Sequence, residues 1–232
     1  MQKTIILLAI AAFSLNSSKL FSQVDDSQTG AWYMYFWNTT VKQGPWGFQG
    51  DIQYRNWDIL GDLEQLLLRG GLTYQPRTAP VKFTLGYAYI STGAFGAETT
   101  TVPESRIYQE ALLPQNPGGR FFITHRFRFE QRFVDDQDFR TRFRYALFLN
   151  VPLNKADLSP GAVYLALYNE LFINGQRGIG DGRTVELFDR DRVYGGLGYS
   201  ISKGLRAQAG YLQQITDVWS KGQLQFSLHH QF

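Results

Sequence analysis

The side chains best suited to chemistry in this chain are arginines and glutamates set two residues apart. Arg126, Arg128, Glu130 and Arg132 occupy alternate positions of one segment, and Arg140, Arg142 and Arg144 do the same in the next. Spacing of two puts such residues on one face of a strand. Adjacent strands then bring them opposite or diagonal to one another. Arg55, Arg69, Arg106, Glu110, Glu170, Arg192 and Arg206 join the set on the same alternation. The planar guanidinium fork makes bidentate, partly desolvated pairs with carboxylates. Two uses follow. The Arg–Glu pairs fill and brace a narrow lumen, as side chains do in small barrels. Alternatively, the excess of Arg forms a basic path for anionic solutes, as rings of Arg or Lys do in pores.

Other candidates are weaker. His125 falls between Ile123 and Phe127 on the apolar register of its segment, as an interfacial histidine does. His229 and His230 are sequence neighbours, so on a strand they face opposite ways and make a poor metal pair. Ser227 and His229 share a face, roughly 6–7 Å apart along a strand, without a nucleophile elbow or an orienting third group. Asp135, Asp136 and Asp138 make an acidic loop. Gly178 to Gly182 is a turn signal with no helix after it, hence no phosphate loop. Neither a catalytic set, a metal site nor a cofactor is expected.

The elements that position these residues are strands. Trp46, Phe48, Ile52 and Tyr54 alternate with Gln49, Asp51, Gln53 and Arg55. Phe139, Phe143, Tyr145, Leu147 and Leu149 alternate with Arg140, Arg142, Arg144 and Asn150. Period two over this length is the strand signature. Eleven segments of about 9–14 residues read this way, close to the length that crosses a bilayer at a tilt. Gly, Pro and Asn clusters separate them, with longer connections at Thr92–Glu104 and Gly175–Leu187. Single-chain bacterial barrels have even strand numbers. The expected fold is therefore an all-β, antiparallel up-and-down transmembrane β-barrel of about twelve strands, with ten as the alternative.

Composition agrees with this class. The 232 residues include 18 Phe, 13 Tyr, 5 Trp and 23 Gly, yet only 19% are charged. Abundant aromatics with small net charge exclude disorder. No apolar run of about 18 residues points to a spanning helix. Arginines outnumber lysines 16 to 7, more than an exposed soluble face needs. That bias, the aromatics near segment ends (Trp32, Trp37, Trp46, Trp57, Tyr87, Tyr89, Trp219) and the terminal Phe232 favour a barrel with its apolar face outward. Residues 1–22 read as a signal peptide, with Lys3, an apolar core over Ile5–Phe13, and residues 23–232 as the barrel. Removing the signal leaves 21 basic against 20 acidic side chains, so nucleic-acid binding is not expected. The absence of Cys excludes a disulfide scaffold and a thiolate metal site.

Three blocks carry a family resemblance. Asp62-Leu63-Glu64-Gln65-Leu66-Leu67-Leu68-Arg69, the run His125 to Phe133, and Tyr168-Asn169-Glu170-Leu171-Phe172 resemble the hallmark blocks of an uncharacterised outer-membrane β-barrel family of Gram-negative bacteria, a domain of unknown function. The resemblance covers most of the mature chain and implies the cell outer membrane. The partners expected at that location are outer-membrane lipids and lipopolysaccharide, and the aromatic last strand ending in Phe232 resembles the signal read by the barrel assembly machinery. A small anionic solute is the expected cargo. The functional expectation is a small channel or passive transport element with an Arg-rich lumen favouring anions. Its alternatives are a non-conducting structural or binding barrel filled by Arg–Glu pairs and, less favoured, a lipid-modifying enzyme.

Overall fold

The computed structural model describes residue 24 and residues 27–232. Residues 1–22, expected to be a signal peptide, lie outside the described residues. Eleven strands follow in order: β1 Gly30–Thr40, β2 Trp46–Asn56, β3 Leu63–Tyr74, β4 Lys82–Gly93, β5 Thr101–Gln115, β6 Phe122–Val134, β7 Arg140–Pro152, β8 Val163–Asn174, β9 Phe188–Ser200, β10 Leu205–Ile215 and β11 Ser220–Gln231. Each pairs antiparallel with its sequence neighbours, and β1 pairs with β11 to close the barrel.

The expectation of twelve strands is corrected to eleven. The eleven alternating segments of the sequence are the wall strands, and no twelfth exists among the described residues. In an up-and-down barrel with an odd count, the first and last strands must run the same way. Closure is accordingly parallel, with Gly30 to Asn38 registered against Gln223 to Gln231. Closure leaves no edge strand with unpaired backbone groups.

Alternation decides the two faces. In β4, Phe83, Leu85, Tyr87 and Tyr89 are exposed while Thr84, Ala88 and Ile90 are buried. In β7, Arg140, Arg142 and Arg144 are buried and Phe143 is 54% exposed. The barrel is therefore inverted relative to a soluble one: apolar outside, charged inside. Two of the aromatics expected at the outer rims are inside instead. Trp32 points into the lumen at 1% exposure, and Trp57 is buried under the loops.

Because β1 and β11 are parallel, the two rims differ. The C-terminal rim carries the end of β11 and loops 41–45, 75–81, 116–121, 153–162 and 201–204. The N-terminal rim carries the start of β1 and loops 57–62, 94–100, 135–139, 175–187 and 216–219. Loop 94–100 is shorter than expected, since β4 and β5 extend into it. At this rim Trp57 packs edge-on against Phe95 and Trp219, with ring centroids 5.8 and 6.3 Å apart. Arg183 ties loop 175–187 to Asp136 of loop 135–139 at 3.3 Å.

Candidate functional site: the arginine-lined lumen

The site is assembled from strands β5 to β8, whose inward rows face one another. Glu130 of β6 lies at the centre, 1% exposed. Its Oε2 accepts from Nε and Nη2 of Arg142 at 2.9 and 2.6 Å, and its Oε1 from Nη1 of Arg144 at 2.6 Å. Arg106 and Arg128 approach it at 3.7 and 3.9 Å. Glu170 accepts from Arg126 at 2.5 Å and from Arg144 at 2.8 Å. Glu110 accepts from Nε of Arg128 at 2.7 Å and from Gln49 at 2.9 Å. The ion pairs Glu130–Arg144–Glu170–Arg126–Glu110–Arg128–Glu130 close a ring. Toward the N-terminal rim, Glu104 receives both Arg106 and Arg132, with Nε distances of 2.6 and 2.5 Å. Each carboxylate thus has two or more charged donors, the geometry that offsets desolvation of a buried ion.

The lumen charge set anticipated from sequence is largely found where alternation placed it. Arg55, Arg69, Arg106, Glu110, Arg128, Glu130, Arg132, Arg140, Arg142, Arg144, Glu170 and Arg192 are buried inside. Arg126 is inside but nearer the C-terminal rim, and Arg206 sits half-buried at that rim. Four more carboxylates belong to the site. Asp51 accepts from Arg69 at 2.9 Å. Glu104 was hidden in a segment read as loop. Glu64 and Asp189 were hidden by β-bulges. Arg55 pairs with Gln65 and Asn56 with Leu63, so Glu64 is the extra residue of a bulge. Phe172 pairs with Arg190 and Ile173 with Phe188, which makes Asp189 another. A bulge re-aims a side chain. Both carboxylates, on the outward register by period two, turn inward, to Trp32 Nε1 at 2.7 Å and Arg142 Nη1 at 2.6 Å.

The opposite wall, the C-terminal-rim half of β8 with β9 to β11 and β1, is aromatic and amide-lined. Trp32, Tyr164, Ala166, Tyr194 and Leu212 form a buried cluster. Trp32 spans between two guanidinium groups: Arg55 lies 3.9 Å and Arg192 4.7 Å from its ring centroid. Such stacking is a favourable way to bury a cation. Tyr168 reaches across to Gln225, its hydroxyl donating at 2.7 Å. Glycines make room for these rings. A Cβ on Gly198 would sit 2.1 Å from the Tyr164 ring, and one on Gly86 2.2 Å from Tyr108.

What this leaves open is a cavity of about 330 Å³ reaching the C-terminal rim. Trp32, Phe148, Tyr168, Arg126, Arg192 and Arg206 are among its walls, and His229, Lys203 and Gln231 stand toward its mouth. Beyond the layer of Arg55, Arg69, Arg144 and Arg192 the free space falls to a second cavity of about 40 Å³. At the N-terminal rim, the inward residues Glu104, Arg132, Arg140, Asn174, Lys221 and Gln223 are all buried. Lys221 also donates to the carbonyl of Gln28, just before β1. Among the described residues, the lumen is packed with side chains at this rim and holds its larger cavity toward the other.

Residues 29–225 match the family model described as "Protein of unknown function (DUF2490)". The chain belongs to that family. The match runs from the residue before β1 to the middle of β11, so it covers nearly the whole wall and every buried arginine and glutamate of the lumen. No curated protein and no solved structure matches the chain.

The histidines are structural neighbours of hydroxyls. His125 Nδ1 and the Tyr145 hydroxyl share a hydrogen bond of 2.8 Å, and His230 Nδ1 and the Tyr35 hydroxyl one of 3.0 Å. Ser227 Oγ and His229 Nε2 are 3.0 Å apart, closer than strand spacing suggests, because both side chains lean together while His229 stacks on Phe36 at 4.8 Å. No carboxylate among the described residues bonds the other ring nitrogen, so no triad forms there.

Proposed function

We propose that the protein is a β-barrel of the Gram-negative outer membrane whose lumen is a one-mouthed binding pocket for a small amphipathic anion. The observation that carries the pocket is the 330 Å³ cavity, open at the C-terminal rim and ended by the guanidinium layer. Its size falls within the range of small-molecule sites. Its walls pair flat aromatic faces (Trp32, Phe148, Tyr168) with cations (Arg126, Arg192, Arg206) against one carboxylate, Glu170. An apolar body would stack on the former and its anionic group pair with the latter.

Three features support the membrane. Leu85, Phe143, Leu197 and their neighbours form an exposed apolar outer face that water would penalise. Strands of 11–15 residues, tilted as barrel strands are, reach roughly 30 Å. The backbone is closed on itself, the condition for a sheet in hydrocarbon. With the C-terminal rim on the periplasmic side, the pocket faces the periplasm. Outer-membrane lipids and lipopolysaccharide surround the wall.

A second reading is a small anion-favouring channel. The observation in its favour is the surplus of lumenal arginine over carboxylate. Conduction requires Arg55, Arg144 and Arg192 to part. Planar-bilayer recording of the refolded protein decides between the two. The pocket reading expects no steady current, together with saturable quenching of tryptophan fluorescence by bromobenzoate that weakens in Arg126→Gln. Stable anion-selective steps from the wild type would replace it with the channel.

A further inference from the structure

The second cavity, beyond the guanidinium layer, has a composition that the outer pocket does not share. Eight of its eleven lining residues are arginines, and no carboxylate lines it. Six of the eight are held by Asp51, Glu104, Glu130, Glu170 or Asp189. The other two, Arg55 and Arg192, make no ion pair with any described residue. Arg55 donates to the amide oxygens of Gln53 and Gln65. The Arg192 side chain makes one hydrogen bond among the described residues, from Nε to Gln214 Oε1 at 2.7 Å. Both are buried, at 5% and 4% exposure.

The same surplus appears in the whole lumen. Among the described residues, nine arginines and six carboxylates are buried, and of these arginines Arg55, Arg140 and Arg192 make no ion pair. Arginine does not shed its proton in proteins, so the charge cannot be relieved by titration. A buried unpaired charge is costly and is normally matched by a counter-ion or a partner. Trp32 faces both guanidinium groups and spreads part of that charge, but it carries none to cancel it.

We infer that the inner cavity binds one small inorganic oxyanion of the phosphate or sulfate class, held by Arg55 and Arg192 with the neighbouring paired arginines around it. The cavity, at about 40 Å³, has room for roughly three water-sized positions. That suits a compact oxyanion and excludes a headgroup with its glycerol. Guanidinium forks match the edges of a tetrahedral oxyanion. A dianion removes most of the surplus from Arg55 and Arg192. The anion is then part of the layer that ends the outer pocket, and the barrel is most stable when it is present. The inference rests on the lumen alone and does not depend on a ligand in the outer pocket.

The test uses the full chain, purified in detergent in chloride buffers free of phosphate and sulfate, then desalted and acid-denatured. Ion chromatography is expected to recover one oxyanion per chain. Added sulfate or phosphate should raise the melting midpoint of refolded protein in proportion to the logarithm of its concentration, and chloride at equal ionic strength should not. Arg192→Gln and Arg55→Gln should each lose the bound anion and the midpoint response, while Arg206→Gln, which lines only the outer pocket, keeps both. If neither variant folds, the wild-type recovery and the anion titration still decide. Recovery no higher than the buffer blank, together with identical midpoints in sulfate, phosphate and chloride, overturns the inference. So does phosphorus that appears only after ashing, because it traces to a lipid headgroup. Loss of bromobenzoate quenching with the oxyanion retained refutes only the outer pocket.

Discussion

Asp189 accepts a hydrogen bond from Nη1 of Arg142 at 2.6 Å, from a position that strict alternation assigns to the outside of the barrel. The bulge opposite Phe172 and Ile173 makes this contact. With it, Arg142 is held between Glu130 and Asp189, two carboxylates from strands on either side of β8. Glu64 repeats the device at the other bulge, where it accepts the indole N–H of Trp32. One local irregularity thus supplies a carboxylate that pairs with an arginine, and the other a carboxylate that anchors Trp32.

Removing the central carboxylate is expected to be the most damaging charge change. Glu130→Gln leaves Arg142 and Arg144 short of their shared partner and should cost about 3 kcal/mol. Arg206→Gln at the rim should stay within about 0.5 kcal/mol. Urea unfolding in detergent, followed by the gel shift between folded and heat-denatured barrel, measures both.

The parallel closure has a direct crosslinking signature. Tyr33 registers with Phe226 and Trp37 with His230, a constant sequence offset that only parallel strands give. The chain has no native cysteine to interfere. The double-cysteine variants Y33C/F226C and W37C/His230→Cys should both form an intramolecular disulfide on oxidation. Success of only one pair would point to antiparallel closure with a different strand count.

Access to the lumen should be one-sided. Gln208→Cys, in the wall of the outer pocket, should react with a small maleimide in the folded barrel. Gln214→Cys, on the same strand but fully buried, should react only after unfolding. In intact cells, a membrane-impermeant maleimide should leave Gln208→Cys unlabelled if its mouth faces the periplasm, and labelling from outside would reverse the orientation.

Close packing of ring against backbone gives a fourth expectation. Gly198→Ala drives a methyl group into the Tyr164 ring and should destabilise the barrel by about 1–3 kcal/mol. Adding Tyr164→Leu should recover much of that loss. A double-mutant cycle reads the coupling, and additive effects would show that the ring and the glycine do not compete for the same space.

The Arg192→Ala and Trp32→Ala pair addresses the layer between the cavities. Trp32→Ala removes the ring on which Arg55 and Arg192 rest and should cost about 3–5 kcal/mol. In Arg192→Ala the bromobenzoate affinity should fall at least tenfold through the lost charge, read by fluorescence titration.

Much of this protein is determined by sequence alone. Period-two alternation is a local property, so it marks the eleven strands, their two faces and the inward rows Arg126 to Arg132 and Arg140 to Arg144 without any tertiary information. The choice between bracing and an open path could not be local. It depends on which carboxylate each arginine meets across the lumen, and Glu170 meets Arg126 from two strands away. Strand number was decided by closure, since parity is a property of the ring and not of any segment. Trp32 looked like a rim aromatic because its segment end is apolar, but only the assembled barrel shows it between two guanidinium groups. Glu64 and Asp189 escaped for the most specific reason. A bulge changes register by one residue, and one residue exchanges inside for outside.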